Sequence, residues 1–302
     1  VAWSFTNLGR VIEASGDFNG AKQMFREGMA LDKEFGDRRA LAWASLLMGQ
    51  TCWALGDYEE AERHYREGER LYRESGDPRG SAWGLDLLGN LQVAQRRYEE
   101  AGKFYERAMV ILRKEGLNVQ NRGWHAYHQG ALRFFQGDYA GADKWLRQGL
   151  AAFRSVADPL GQATCLTHLG ESALERGRLR EAEGCFARAL ELALPIRLMP
   201  HVADLLVAVA KLLKSRGDER SALVFLVAAL SHPTCRRQTK DKIVLFTTKL
   251  ESRFTTDEVQ DAVQQAKASR LEDLAQAWLS GLHPARAREK ARPRAPRRRK
   301  KR

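Results

Sequence analysis

Small and bulky apolar positions return along this chain at a step of about 40 residues. With Gly49 as a marker, the same register falls on Gly9, Gly89, Gly130, Gly170 and Ala210. Twelve residues after each marker stands an alanine: Ala21, Ala61, Ala101, Ala142, Ala182 and Ala222. Four further on comes a bulky apolar residue (Phe25, Tyr65, Tyr105, Leu146, Phe186, Leu226), and three beyond that a small one (Gly28, Gly68, Ala108, Gly149, Ala189, Ala229). Six copies in register predict six pairs of antiparallel helices. Small positions let two helix backbones approach, and the bulky residue fills the space beside them. Between the paired helices lie turns such as Gly16-Asp17-Phe18, Gly56-Asp57-Tyr58 and Gly137-Asp138-Tyr139. Glycine ends the first helix because it tolerates a left-handed backbone, and aspartate caps the second by accepting its free N–H groups. Asp57 with Glu60 reads as a capping box. The third copy departs from the rule with Arg96-Arg97-Tyr98, and the sixth replaces the aromatic with Glu219.

These residues resemble the tetratricopeptide repeat (TPR) family over about residues 1 to 231, with its small, aromatic and alanine positions at fixed offsets. The resemblance implies an all-α, right-handed superhelical solenoid of about six helix-turn-helix repeats. The repeat is about 40 residues rather than 34, so both helices are longer than usual. Repeats of this length resemble the C-terminal sensor arrays of STAND-class signalling ATPases, including maltose-activator-like transcription regulators.

Three segments are expected: a repeat array over 1–232, a helical cap over 233–281 and a disordered basic tail over 282–302. Gly36-Asp37, Gly76-Asp77-Pro78 and Asp158-Pro159 mark joints between repeats, whereas Asn118–Asn121 is a weaker joint without that signal. The apolar sixth repeat is expected to be covered by two cap helices, Arg237–Phe254 and Thr256–Gly281. The stretch from Ala266 to Leu279 resembles the closing segment of STAND sensor arrays, and physically it shields the last apolar face of a solenoid. Net charge is +12, but His283 to Arg302 holds 11 Lys/Arg against Glu289, so the remainder is nearly neutral. That tail is the basis of a possible weak nucleic-acid contact through phosphate charge.

No run of about 18 apolar residues is present, so no membrane contact is expected. Cys52, Cys165, Cys185 and Cys235 form no Cys-x-x-Cys pair, which suits a reduced, cytoplasmic protein. Val1 to Phe5 already reads as repeat helix rather than signal peptide, and the chain looks like a piece of something longer.

The phosphate-binding loops and the His-Glu-x-x-His motif are missing from the sequence. The expectation is therefore a non-catalytic protein without cofactor. His125, His128, Cys165 and His168 sit at equivalent places on neighbouring repeats and are zinc-like in type, yet packing between repeats explains them better; no metal is expected.

Recognition remains. The family resemblance places the first helices of the repeats on a concave wall. It puts Trp43, Trp83 and Trp124 in one row there, continuing the row that Trp3 begins. Asp86 and Tyr127 fall in a second row, Gln50, Asn90 and Glu171 in a third, and Trp53 and Phe134 a turn further along. Aromatic faces interleaved with hydrogen-bonding groups suit a small-molecule inducer, or a protein or peptide. The same tryptophans also suit plain packing between repeats. The reading favoured is a sensor whose ATPase module is absent from this chain. The alternative is a general scaffold holding a peptide or helix, and a third reading is a nucleic-acid-associated protein acting through its tail.

Overall fold

A computed structural model describes residues 2–116, 118–251 and 254–282, the side chains of 249–251 excepted. The expected basic tail, 283–302, lies outside the described residues. Six helix pairs follow one another: α1 (Ala2–Ala14) with α2 (Phe18–Glu34), α3 (Arg38–Leu55) with α4 (Tyr58–Glu74), and α5 (Pro78–Ala94) with α6 (Tyr98–Lys114). Then come α7 (Val119–Phe135) with α8 (Tyr139–Ser155), α9 (Pro159–Glu175) with α10 (Leu179–Ala193), and α11 (Met199–Ser215) with α12 (Glu219–Ser231). Three more helices close the chain: α13 (Arg237–Glu251), α14 (Thr256–Ala268) and α15 (Leu271–Leu282).

The repeating pattern has a direct steric cause. The bulky residue of each second helix lies flat on the marker glycine of the first. A methyl group added at Gly9 would meet the Phe25 ring at 2.6 Å, and one at Gly49 the Tyr65 ring at 2.6 Å. Gly89 faces Tyr105, Gly130 faces Leu146, and Gly170 faces Phe186 in the same way. Phe25, Leu146 and Phe186 are fully buried. Each such side chain contributes roughly 1.5–3 kcal/mol through burial alone.

Caps end the helices as expected, with one exception. Asp17, Asp37, Asp77, Asp138, Asp158 and Asp218 each accept from a backbone N–H three residues on. Asp57 does not, and the capping box expected with Glu60 does not form. Both carboxylates turn instead to Lys22 of the preceding repeat, at 3.5 and 2.7 Å. A partly buried ammonium is the stronger partner for them. In the irregular third turn Arg96 takes the left-handed conformation, φ 61°, that glycine supplies elsewhere.

Odd-numbered helices form the inner wall: α1 touches α3, α3 touches α5, α7 touches α9, and α9 touches α11. Between α5 and α7 the meeting is weaker and includes Asp86 with His128, and across the five joints between repeats α6 and α7 make the sparsest meeting. The apolar core divides at the same place. One buried cluster runs from Ala21 to Leu91 and another from Ala142 to Leu279, with two small islands between, around Leu112 and Tyr105.

The cap differs from expectation. The single helix expected over Thr256–Gly281 is two helices, because Ser269 is extended (φ −112°, ψ 139°). The break lets Leu271, Leu274, Ala275 and Leu279 turn inward and become buried. Contacts from α13, α14 and α15 cover α12, which explains the apolar sixth repeat. No described helix is long and apolar enough to cross a membrane.

Candidate functional site

The solenoid curls until its C-terminal part meets its N-terminal repeats. Pro233 lies against Gly16, where a methyl group would stand 2.5 Å from the proline carbonyl carbon. Gln238 Nε2 donates to the Trp53 carbonyl at 2.5 Å, and α13 touches α3. Between these contacts the Arg236 guanidinium sits 5.5 Å from the centre of the Trp53 ring. It also donates to Asp204 Oδ2 at 2.6 Å, while the Thr239 hydroxyl donates to Asp204 Oδ1. The concave side is thereby closed across, and Glu13, Trp53, Tyr127, His201 and Asp204, from four different helices of the array, gather around Arg236.

Electrostatics there are those of a sequestered polar centre. Burial raises the Glu13 carboxyl, against the Thr51 hydroxyl that donates to it at 2.9 Å and the pull of Arg236. Burial drives His201 down to about 4, although Asp204 opposes this. Asp204 would itself rise through burial, but Arg236 and Thr239 hold it below the usual carboxylate range. Burial also pushes the Tyr127 hydroxyl well above its ordinary value. Trp53 Nε1 and Gln238 Oε1 are buried with no hydrogen-bond partner, an open donor and an open acceptor at the closing contact.

All ten residues expected to bind ligand are half-buried. Trp53, Tyr127 and Glu171 reach the enclosed region, and Glu171 makes no hydrogen bond or ion pair among the described residues. Others are engaged between helices. Arg10 covers Trp43 at 5.6 Å, and Trp83 packs against the N-terminal core cluster. Asp86 lies 3.3 Å from His128 Nδ1, and Asn90 accepts from the Tyr105 hydroxyl at 2.8 Å. Trp124 meets Phe153 edge-on at 5.0 Å, and Phe134 meets His168 at 5.8 Å. Gln50 makes no hydrogen bond among the described residues.

Glu13, His201, Asp204 and Arg236 are the residues that the sequence reading passed over. Two were within reach of the register. Asp204 stands six before Ala210, the place of the tryptophan row, and Glu13 shares the place of Trp53. Arg236 lies outside every repeat and gives no periodic signal.

The four zinc-like residues do not converge. His128 stacks on Tyr105 at 4.5 Å, His168 Nδ1 lies 3.3 Å from the Thr164 carbonyl, and His125 meets Trp145 edge-on. Among the described residues the group with metal-ligand spacing is Cys52, Glu60 and His64, within 4.8 Å of one another. The Lys22 ammonium already supplies a cation there, and burial pushes the Cys52 thiol up to about 11.

A TPR-type repeat stacks its first helices inward and its second helices outward, as here. Family models for the tetratricopeptide repeat match residues 1–74 and 122–194, and 85–119. The chain belongs to the tetratricopeptide repeat family, whose solenoids are protein–protein interaction scaffolds. No curated protein sequence matches it. Solved structures share the fold. A Rap protein complexed with competence and sporulation factor is 12% identical, with a TM-score of 0.66 over 92% of this chain and 75% of that one. Aspartyl phosphate phosphatase F from Bacillus subtilis is 13% identical, with a TM-score of 0.60 over 94% and 70%. A signal transduction ATPase with numerous domains (STAND) from Pyrococcus horikoshii, carrying a tetratricopeptide repeat sensor, is 14% identical. Its TM-score is 0.55, covering 87% of this chain and 43% of that one.

Proposed function

We propose that this chain is a non-catalytic recognition module that takes an extended peptide segment of a protein partner into its concave channel. The carrying observation is the gathering of Glu13, Trp53, Tyr127 and Asp204 around Arg236, with Glu171 near Tyr127, drawn from repeats far apart in sequence. A peptide laid across the channel would reach residues of several repeats at once. It would also offer hydrogen bonds to Glu171, Trp53 Nε1 and Gln238 Oε1, which make none among the described residues. Backbone amides at regular spacing meet both needs. Binding would compete with Arg236 for Asp204 and Trp53, so occupancy and ring closure are coupled, and the ligand shifts an open–closed balance by its differential affinity.

The role favoured for such a module is the sensor of a STAND-type signalling or transcription-regulating ATPase. The array's likeness in fold to a STAND sensor, and the share of that longer protein it spans, support the reading. Fluorescence anisotropy with a panel of extended peptides tests the first part. Saturable binding that is weakened in Glu171→Ala and Tyr127→Ala is expected, and silence across the panel sinks it. Reading the gene upstream of the Val1 codon tests the second: a nucleotide-binding ATPase segment is expected, and its absence leaves the scaffold alone.

A further inference from the structure

The joint between repeats three and four is built unlike its neighbours. At the joint before it, the Tyr72 ring lies on Gly80, and at the joint after it, the Phe153 ring lies on Gly161, in contacts too close for any side chain. The corresponding pair at the intervening joint is Leu112 and Asn121. The marker interval is also one residue longer there. Aromatic and polar contacts hold its inner side, where His128 stacks on Tyr105 and pairs with Asp86. The outer side is open, a wedge between α6, α7 and α8.

That wedge is a cavity of about 480 Å³, within the range that holds small organic ligands. Met109, Val119 and one side of Trp145 give it apolar walls, and Arg113, Arg122 and His125 bring nitrogen donors. None of the lining residues is acidic. Neither arginine side chain makes a hydrogen bond or ion pair among the described residues. On α7, Arg122 and His125 lie on the face opposite Trp124 and Tyr127, so this cleft is separate from the concave channel.

We infer that the wedge is a second binding site, for a small organic anion with a planar apolar body and a phosphate or carboxylate head. The body lies between Trp145 and the Met109–Val119 wall, and Arg113 and Arg122 take the anionic group. Two guanidiniums in fork geometry suit such a head better than ammonium groups would. Occupancy ties α6 to α7–α8, the helices whose direct contact is sparsest, so the ligand stiffens the array where it bends most readily.

Isothermal titration of the full chain with phenyl phosphate tests this, with phenol and inorganic phosphate as comparators. One saturable site is expected, weakened by added salt, with both comparators binding far more weakly. Replacing both exposed arginines (Arg113→Ala with Arg122→Ala) should weaken phenyl phosphate by about tenfold or more, and the double lysine variant should recover part of it. Melting curves of each variant confirm that the fold is intact. The inference is overturned by absence of saturable heat, by undiminished binding in the double alanine variant, or by equal binding of inorganic phosphate. Loss of binding in Tyr127→Ala with retention in the arginine variant also overturns it, by placing the ligand in the channel.

Discussion

The joints on either side of repeat four use the same helix geometry and reach different strengths. Between repeats four and five, the fully buried Phe153 spans two glycines, Gly123 and Gly161, and binds the repeats into one core. Between repeats three and four, Leu112 packs within its own small cluster and Asn121 stands where a glycine would admit a ring. Stability in a solenoid is a sum of repeat and neighbour terms. At this joint the missing ring-on-glycine contact coincides with the longer marker interval and the sparse meeting of α6 with α7, and the core divides there. The chain keeps its superhelical path and gains a cleft.

The largest test removes the stronger contact. Phe153→Ala should cost about 3–5 kcal/mol, whereas Leu112→Ala should fall near the lower end of about 2–5 kcal/mol. Urea melts followed with native-state hydrogen exchange read both, because exchange assigns the loss to a joint even if the array does not unfold in two states. Equal losses would mean that the two joints are equivalent after all. Overfilling gives the converse. Gly161→Val drives a branched side chain into the Phe153 ring and should cost at least about 1–3 kcal/mol. Asn121→Val, at a half-buried place with no ring opposite it, should cost less than Gly161→Val, by about 1 kcal/mol or more.

Ring closure adds a third contrast, since it joins the two halves by a route other than the weak joint. Arg236→Ala removes a charged hydrogen bond to Asp204 and should cost about 1.5–3 kcal/mol. Faster exchange should follow in α3 and α13, with a larger radius of gyration in solution. An unchanged radius would show that Pro233 and Gln238 suffice for closure. A smaller effect of opposite sign is expected from installing the missing contact. Leu112→Phe with Asn121→Gly should stabilise the array by about 1 kcal/mol.

The last prediction concerns pH. His201 has a folded pKa of about 4, below its ordinary 6.5, so the unfolded chain binds its proton first as pH falls. Its contribution is fully present above about 6.5, declines by at most roughly 1.4 kcal/mol per pH unit below that, and levels off below about 4. Urea midpoints at about pH 5 and pH 7 should differ less in His201→Gln than in the parent chain. The same difference in both would remove His201 from the account.

Local order was written plainly in the sequence. The marker glycines, the alanines twelve residues on and the bulky residues four beyond them are steric requirements between helices adjacent in the chain. They set the helix pairs and the turns, while the inward face of each first helix, with the half-buried places of Trp53, Tyr127 and Glu171, came from the family resemblance. Contacts without a period were not legible. Asp57 and Glu60 have the spacing of a cap, and only the fold brings Lys22 close enough to claim them. Ser269 breaks a helix because the apolar face of the last repeat needs covering. Arg236 belongs to no repeat, yet closure of the superhelix carries it onto Trp53 and Asp204. Neighbour contacts repeat with the chain and leave a pattern in it. Closure depends on small twists accumulated over six repeats, which no single residue encodes, so only the tertiary structure decided where the two ends meet and which side chains face one another across the channel.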